Sequence, residues 1–229
     1  MFKTIKQTDT SIGETAGNSN IPVELLKELA TKGIGERAIA ARNPNTPPEV
    51  LEWLSEDYDS YDSFSCVRAG VAANSNTSRH TLAMLAEYPN SIVRAGVAGN
   101  PHTSRHTLEK LAKDPDSLVL KAVAANPNIS RHTLDKLSKN PHWFVQLEVA
   151  KNPNTSQFTL TRLAENPFGD VSRAAKANPN ITKEEIERLA KYVEIYDNIE
   201  TLFRKIKDIF VDIGYSLADL FLDKGYIKK

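Results

Sequence analysis

Three copies of the tetrapeptide Ser-Arg-His-Thr contain the residues of this sequence that come closest to catalytic or metal-binding groups. They occupy residues 78–81, 104–107 and 130–133, at intervals of 26. A serine and a histidine could serve as nucleophile and base. Side chains two positions apart at a helix start do not face each other, however, and no acidic residue recurs where it would orient the histidine. We therefore expect the serines to cap helices and the chain not to be an enzyme.

The three histidines of these copies could instead bind a metal ion. If each copy begins a helix and the helices stack side by side, neighbouring helices lie about 8–10 Å apart. Zinc ligands lie about 2 Å from the metal, so three histidines in such a row cannot converge on one ion. The sequence therefore predicts no metal and no other cofactor. The histidines are His80, His106 and His132.

Basic residues recur at the same interval and would form two parallel rows across a stack of helices. Such a surface would bind phosphate groups in a salt-dependent manner. Against this, Glu109 and Asp135 lie at i,i+4 spacing from neighbouring cations and would neutralise part of the surface. The whole chain has 29 Lys and Arg against 29 Asp and Glu, a net charge of zero. Nucleic-acid binding is therefore the alternative prediction. The rows are Arg79, Arg105 and Arg131, then Lys110, Lys136 and Arg162.

Aromatic residues are concentrated in the later repeats of the chain. Trp143 and Leu147 are four residues apart and fall outside the inward positions of their unit, and Phe144, Phe158 and Phe168 are close in sequence. Clustered exposed aromatic side chains mark protein contact sites, although large residues can also fill seams between repeats. We predict a protein-binding surface formed by the basic and histidine rows together with the Trp143 region.

A five-residue insertion falls around the sequence DYDSYDSF at 57–64, which contains three aspartates. It lacks the glycine and the closing glutamate of a calcium-binding loop. A solvated loop is expected, and Tyr58 and Tyr61 could make it a contact loop.

A 26-residue unit positions all of these residues. Units open at Asn74, Asn100, Asn126 and Asn152, and another begins at Asn178. Each has an Asn-Pro-Asn-like turn and a Thr or Ser that we expect to cap a first helix, as Thr46 would before Pro47. Leucines three residues apart predict the buried face of that helix. We expect a later proline to end the helix. A second helix should then bury Val93, Gly96 and Val97, or their equivalents.

The sequence as a whole predicts an all-α solenoid, because such short helix pairs bury their apolar stripes only by stacking. We predict a flexible tail at 1–17, about seven repeats at 18–190 and capping helices at 191–229. In the cap, apolar residues recur at helical spacing from Ile195, Gly214 ends that helix, and Ser216 starts another.

We predict a cytoplasmic protein, because the single cysteine, Cys66, fits a reducing compartment and the N-terminal residues have no apolar leader. We predict no membrane partner, because no apolar segment is long enough to span a bilayer. No feature of the sequence indicates a small-molecule substrate.

These units resemble the variant leucine-rich repeat family found in bacteria. The likeness rests on NPNTPPEVLEWL at 43–54, NPHTSRHTLEKLAKDP at 100–115 and VRAGVA at 67–72 and 93–98. It implies a right-handed superhelix of alternating α and 3₁₀ helices, similar in outline to HEAT and armadillo solenoids. The iron–sulfur segment of some relatives cannot be carried over, since Cys66 is alone. The family has no single activity, so the expected role is that of a non-catalytic protein-binding scaffold.

Overall fold

The computed structural model describes residues 18, 20–56 and 65–212 of the chain. The chain divides into two compact units, residues 1–180 and 181–229. The predicted tail (1–17), the insertion (57–64) and the second capping helix (from Ser216) lie outside the described residues.

The first unit is built from helix pairs, here called A and B in chain order. The A helices are α1 (Val23–Ala30), α3 (Pro48–Ser55), α5 (Arg79–Leu85), α7 (Arg105–Leu111), α9 (Arg131–Leu137) and α11 (Gln157–Ala164). The B helices are α2 (Ile34–Arg42), α4 (Cys66–Ala73), α6 (Ser91–Gly99), α8 (Ser117–Ala125), α10 (Trp143–Lys151) and α12 (Gly169–Ala177). The described residues contain no strand, and the predicted α-solenoid of stacked helix pairs is confirmed.

Both helices of each pair are α-helical, whereas the family resemblance implies a 3₁₀ helix in every pair. No 3₁₀ helix occurs among residues 20–56 and 65–212. Bonds of the i→i+3 type are confined to helix ends and turns. Asn126 N, for example, donates to the Val123 carbonyl at 3.1 Å, and Ile129 N donates to the Asn126 carbonyl at 3.3 Å. The B helices are eight or nine residues long, enough for regular i→i+4 bonding.

The core is a continuous row of leucines from A helices and valines from B helices. Leu108 and Leu134 are fully buried, as are Val93 and Val97. Each buried leucine or valine contributes about 1.5–3 kcal/mol, which no single pair could gain without its neighbours.

The B helices form the closely packed layer, while successive A helices contact one another much less. Glycine makes this close approach possible, as the sequence predicts. A Cβ on Gly96 would lie 3.0 Å from Ala72 Cβ, and one on Gly70 would lie 3.0 Å from Ala41 Cβ.

A row of buried asparagines joins successive turns, and we call it the Asn ladder. Asn100 Nδ2 donates to the carbonyls of Ala72 and Asn74, both at 2.8 Å, and its Oδ1 accepts from His102 N at 2.9 Å. Because all three groups are satisfied, the amide is buried without the usual cost of desolvation. The same pattern recurs along the unit. The ladder consists of Asn74, Asn100, Asn126, Asn152 and Asn178.

The predicted serine caps are confirmed. Ser104 is the N-cap of α7, and its hydroxyl accepts from Thr107 N at 3.1 Å. The predicted cap at Thr46 is wrong. Pro47 occupies the cap position of α3, and the Thr46 hydroxyl donates instead to the Ala40 carbonyl at 2.5 Å. Thr46 is equivalent to Thr103, one residue before the capping serine.

The proline that follows α5, α7, α9 and α11 does not itself end the helix. α7 ends at Leu111, and the amide of its C-cap, Ala112, donates to the Leu108 and Lys110 carbonyls. Pro115 comes four residues after that end, in the loop to α8.

The second unit contains α13 (Lys183–Asp212), which runs through residue 190, where the predicted cap begins. Ile195, Ile199 and Leu202 are exposed along it. The capping role of 191–229 stays a prediction. Within the described residues no helix is both long enough and apolar enough to cross a membrane.

Candidate binding surfaces

The arginine and histidine rows lie at the start of three A helices. Arg79 and His80 open α5, and the equivalent residues open α7 and α9; all of them are exposed. The capping serine fixes where each helix begins and so fixes the position of the row. No ion pair within residues 65–212 involves these side chains, which are Arg79, His80, Arg105, His106, Arg131 and His132. They are available for contact with a partner.

The serine hydroxyls next to these rows are engaged in capping the helices. Each serine hydroxyl bonds the threonine three residues on, as Ser104 Oγ does with Thr107 Oγ1 at 2.9 Å. It is therefore not directed at the histidine. No group of three or more His, Cys, Asp or Glu side chains in the part of the chain that the structure describes could hold a metal ion.

The second basic row is partly neutralised, and the pairing crosses between units. Lys110 Nζ lies 2.5 Å from Glu87 of the preceding unit, and Arg162 Nη2 lies 3.1 Å from Asp135 Oδ1. Asp135 also pairs with Lys139 at 3.7 Å, the i,i+4 interaction expected from the sequence. Lys136 is exposed, and no ion pair in residues 65–212 involves it.

The pKa of Asp135 reflects this cluster of charges. Burial raises it, but the hydrogen bond from Arg162, the charge of Lys139 and the bond from the Thr159 hydroxyl together lower it by more. The pKa therefore lies below the usual carboxyl value, and Asp135 keeps its negative charge beside the row.

Four rings form a cluster at the start of two B helices, which we call the aromatic patch: His142, Trp143, Phe144 and Phe168. The Trp143 ring centroid lies 6.1 Å from that of Phe144, edge-on, and 6.4 Å from that of Phe168. The His142 and Phe144 rings stack at 5.2 Å. Trp143 is 41% exposed and Phe168 is 51% exposed, so the rings do not fill the core.

The local sequence places rings where other units have capping residues. The N-caps of α6 and α8 are Asn90 and Asp116, whose side chains accept from Ile92 N and Leu118 N, both at 2.8 Å. His142 and Phe168 hold the same position before α10 and α12, and neither makes a side-chain cap bond in this described part of the chain. A capping side chain is typically worth about 1 kcal/mol, so this edge gives up helix stability.

Two further exposed apolar residues, which the sequence interpretation missed, occupy a position equivalent to one in the patch. Ile92 and Leu118 occupy the position equivalent to Phe144, at 26-residue intervals, and are 53% and 55% exposed. Aligning the units one above another would have revealed this apolar column beside the buried valines.

Leu147 is half-buried next to the patch, at a groove of about 520 Å³ between α10 and α12. Ala174 and Ala177 also line this groove. Phe158, by contrast, belongs to the A helix α11. It is 73% exposed and lies against Arg162, with the guanidinium 5.9 Å from the ring centroid.

The predicted contact residues lie on two kinds of helix. The basic and histidine rows lie on A helices, whereas Trp143 and Leu147 lie on the B helix α10. One combined contact surface stays a prediction.

These helix pairs define a helical repeat protein. The family model described as leucine rich repeat variant matches residues 34–59 and 93–116. In these two segments the chain is similar to the leucine rich repeat variant family, as the resemblance predicts.

A solved structure described as "a leucine-rich repeat variant with a novel repetitive protein structural motif" is also similar to the chain. It is 24% identical and covers 72% of this chain and 73% of its own, with a TM-score of 0.37. With so low a TM-score, the match adds nothing to the description of the fold. No curated protein matches the chain.

Proposed function

We propose that this chain is a non-catalytic scaffold that binds another protein through the aromatic patch. The observation that carries the proposal is the exposure of Trp143 and Phe168 in a ring cluster. Interface hot spots are rich in such aromatic anchors, and large rings exposed together are uncommon on surfaces with no partner.

Three further features support this proposal. Leu118 and Ile92, at positions equivalent to Phe144, are also exposed, so a partner would contact an apolar column rather than an isolated ring. Leu147 and the groove between α10 and α12 adjoin it. The rings also occupy positions where a capping side chain would stabilise the fold, which favours a role outside stability.

A cytoplasmic location and a bacterial origin of the protein belong to the same proposal. The single cysteine and the family resemblance support them. The absence of catalysis is supported by the serine hydroxyls, which cap helices and are bound to threonines.

The test is a capture experiment with matched variants. Wild-type chain, the double variant W143A/F168A and the control F158A are immobilised, and bound proteins are identified by mass spectrometry. F158A removes a more exposed ring from an A helix. We expect a partner that wild type and F158A retain and that W143A/F168A loses. A partner retained equally by all three would contradict the assignment of the patch.

Nucleic-acid binding through the A helices is the second candidate, since Arg79, Arg105 and Arg131 are exposed and form no ion pairs within residues 65–212. The pairing of Lys110 and Arg162 with acidic groups weakens it. Salt-dependent retention of DNA or RNA that R79A/R105A/R131A abolishes would support it. No retention at low salt would remove it.

A further inference from the structure

Neighbouring B helices are joined at the loop edge by a pair of residues 20 positions apart, and the chemistry of the pair changes along the chain. Between α4 and α6, the Arg68 guanidinium lies 4.8 Å from the centroid of the Tyr88 ring. Between α10 and α12, Asn166 Nδ2 donates to Gln146 Oε1 at 2.6 Å. Each pair links a B helix to the loop of the following unit.

The pair between α6 and α8 is the strongest of these. Arg94 Nε donates to Asp114 Oδ2 at 2.6 Å and Nη2 donates to Oδ1 at 2.9 Å, with both side chains largely buried. Arg94 Nη1 also donates to the Tyr88 and Pro89 carbonyls at 2.9 and 2.7 Å. One guanidinium therefore fastens two successive loops.

The junction between α8 and α10 has no such link. The equivalent residues are Leu120 and Asn140, and a leucine side chain cannot hydrogen-bond an amide. α8 and α10 also contact each other less extensively than α6 and α8 do. Within the described residues, no hydrogen bond or ion pair between side chains joins α8 to α10 at this loop edge.

The A helices repeat the contrast at the same place. Lys110 pairs with Glu87 across one junction, whereas the equivalent residues at the next are Lys136 and Lys113, which have like charges. At the following junction Arg162 pairs with Asp135, whereas the equivalent residues at the α7–α9 junction, Lys136 and Glu109, form no ion pair within residues 65–212. Two separate positions thus mark the same junction as the weakest.

The opposite edge of this junction remains tied. Asn152 Nδ2 donates to the Ala124 and Asn126 carbonyls at 2.7 and 3.1 Å, and Asn154 Nδ2 donates to the Pro127 carbonyl at 2.5 Å. Two helices that are joined by side-chain hydrogen bonds along one edge and not along the other can rotate apart about the bonded edge.

We propose that the array opens at the α8–α10 junction, pivoting about the Asn ladder, and that this motion sets the separation of Leu118 from Trp143 and Phe144. The consequence for partner binding rests on the proposed function, because these three side chains flank the junction within the apolar surface. The motion itself does not depend on there being a partner.

The test exchanges the pairs between the two junctions. L120R/N140D places the Arg–Asp pair at the α8–α10 junction, and N140D keeps an acceptor for His142 N, which Asn140 Oδ1 now bonds at 2.9 Å. R94L/D114N places the Leu–Asn pair at the α6–α8 junction. Hydrogen exchange of backbone amides is followed by mass spectrometry in both full-length variants and wild type, with circular dichroism to verify folding.

We expect L120R/N140D to slow exchange at residues 138–147 by about tenfold, the effect of one charged hydrogen-bonded pair on an opening equilibrium. R94L/D114N should speed exchange at 112–121 by a similar factor. If L120R/N140D does not fold, the exchange of R94L/D114N alone tests the proposal. Unchanged exchange in either folded variant overturns the proposal, because fraying of helix ends rather than opening of the junction would then govern exchange. Neither result involves a partner, so the proposed function stands or falls separately.

Discussion

The loop edge of the B helices differs between the middle and the end of the repeat array. At α6 and α8 the edge residues stabilise the fold, through the caps Asn90 and Asp116 and the Arg94–Asp114 pair. At α10 and α12 the equivalent cap positions hold His142 and Phe168, beside the exposed Trp143. The backbone of the repeat therefore accommodates either capping residues or exposed rings at this edge. The rings lie where a capping side chain would have stabilised the helix.

The largest effect should come from the Asn ladder, which both regions share. Asn100→Ala and Asn152→Ala each remove two buried donors to carbonyls and one acceptor. We expect each to lower the free energy of unfolding by about 3 kcal/mol, measured by urea titration. Similar losses at both sites would show that the ladder supports the two regions equally. A loss below about 1 kcal/mol at either site would contradict this role.

The second effect separates the regions by their dependence on pH. Burial raises the pKa of Asp114, but the hydrogen bond from Arg94, the bond from Asp116 N and the charge of Arg94 lower it by more. The ionised form is therefore favoured in the folded state. Its contribution is present above the ordinary carboxyl value of 3.8 and is lost as pH falls through the lower folded value.

Asp114→Asn should accordingly cost about 2 kcal/mol of unfolding free energy at pH 7, and the difference from wild type should shrink below about pH 4. The matched control is Asn140→Asp at the equivalent loop position, which lacks an arginine partner and should gain no such contribution. A difference between wild type and D114N that is constant from pH 7 to pH 3 would argue against the pair.

A third, smaller effect concerns two glycines of α6. A Cβ on Gly96 would lie 3.0 Å from Ala72 Cβ, whereas one on Gly99 would meet nothing within 4 Å. Gly99→Ala should stabilise the chain by about 0.5–1 kcal/mol through lower backbone entropy in the unfolded state. Gly96→Ala should be neutral or destabilising, since the B helices must move apart. Equal stabilisation by both substitutions, seen in thermal unfolding, would rule out close helix approach at Gly96.

The smallest effect restores a cap at the aromatic edge. His142→Asp supplies the acceptor that Asp116 provides in the preceding unit, and it should raise the free energy of unfolding by about 0.5–1 kcal/mol. Asp116→Ala should lower it by a similar amount. If H142D lowers the free energy of unfolding, a capping side chain at position 142 does not stabilise the helix, and the comparison between the two regions fails.

Much of the fold could be predicted from the sequence because the signals are local and repeated. Leu108, Leu111 and their equivalents lie at helical spacing in each unit, and a serine equivalent to Ser104 precedes the first helix of every middle unit. The Asn ladder could not be predicted in the same way. Asn-Pro-Asn indicates a turn, but the carbonyls that Asn126 binds belong to residues 26 and 28 positions away. Only the stacking distance brings them together.

The candidate site was predicted in part for the same reason. Trp143 was identified from its type and its position outside the buried stripe, but the separation of A and B surfaces depends on packing. The i,i+4 spacing predicts ion pairs within one helix, whereas Lys110 and Arg162 find their partners in the preceding unit. A 26-residue alignment would have brought Ile92 and Leu118 into the column with Phe144.

The most direct test of this account is the unfolding free energy of W143A/F168A, measured by urea titration beside its partner binding. We predict a change of about 1 kcal/mol or less, the worth of one aromatic contact, together with loss of the partner that F158A retains. A loss of about 3 kcal/mol or more, as for a ring removed from a core, with binding unchanged, would show that the rings serve the fold and would contradict the account.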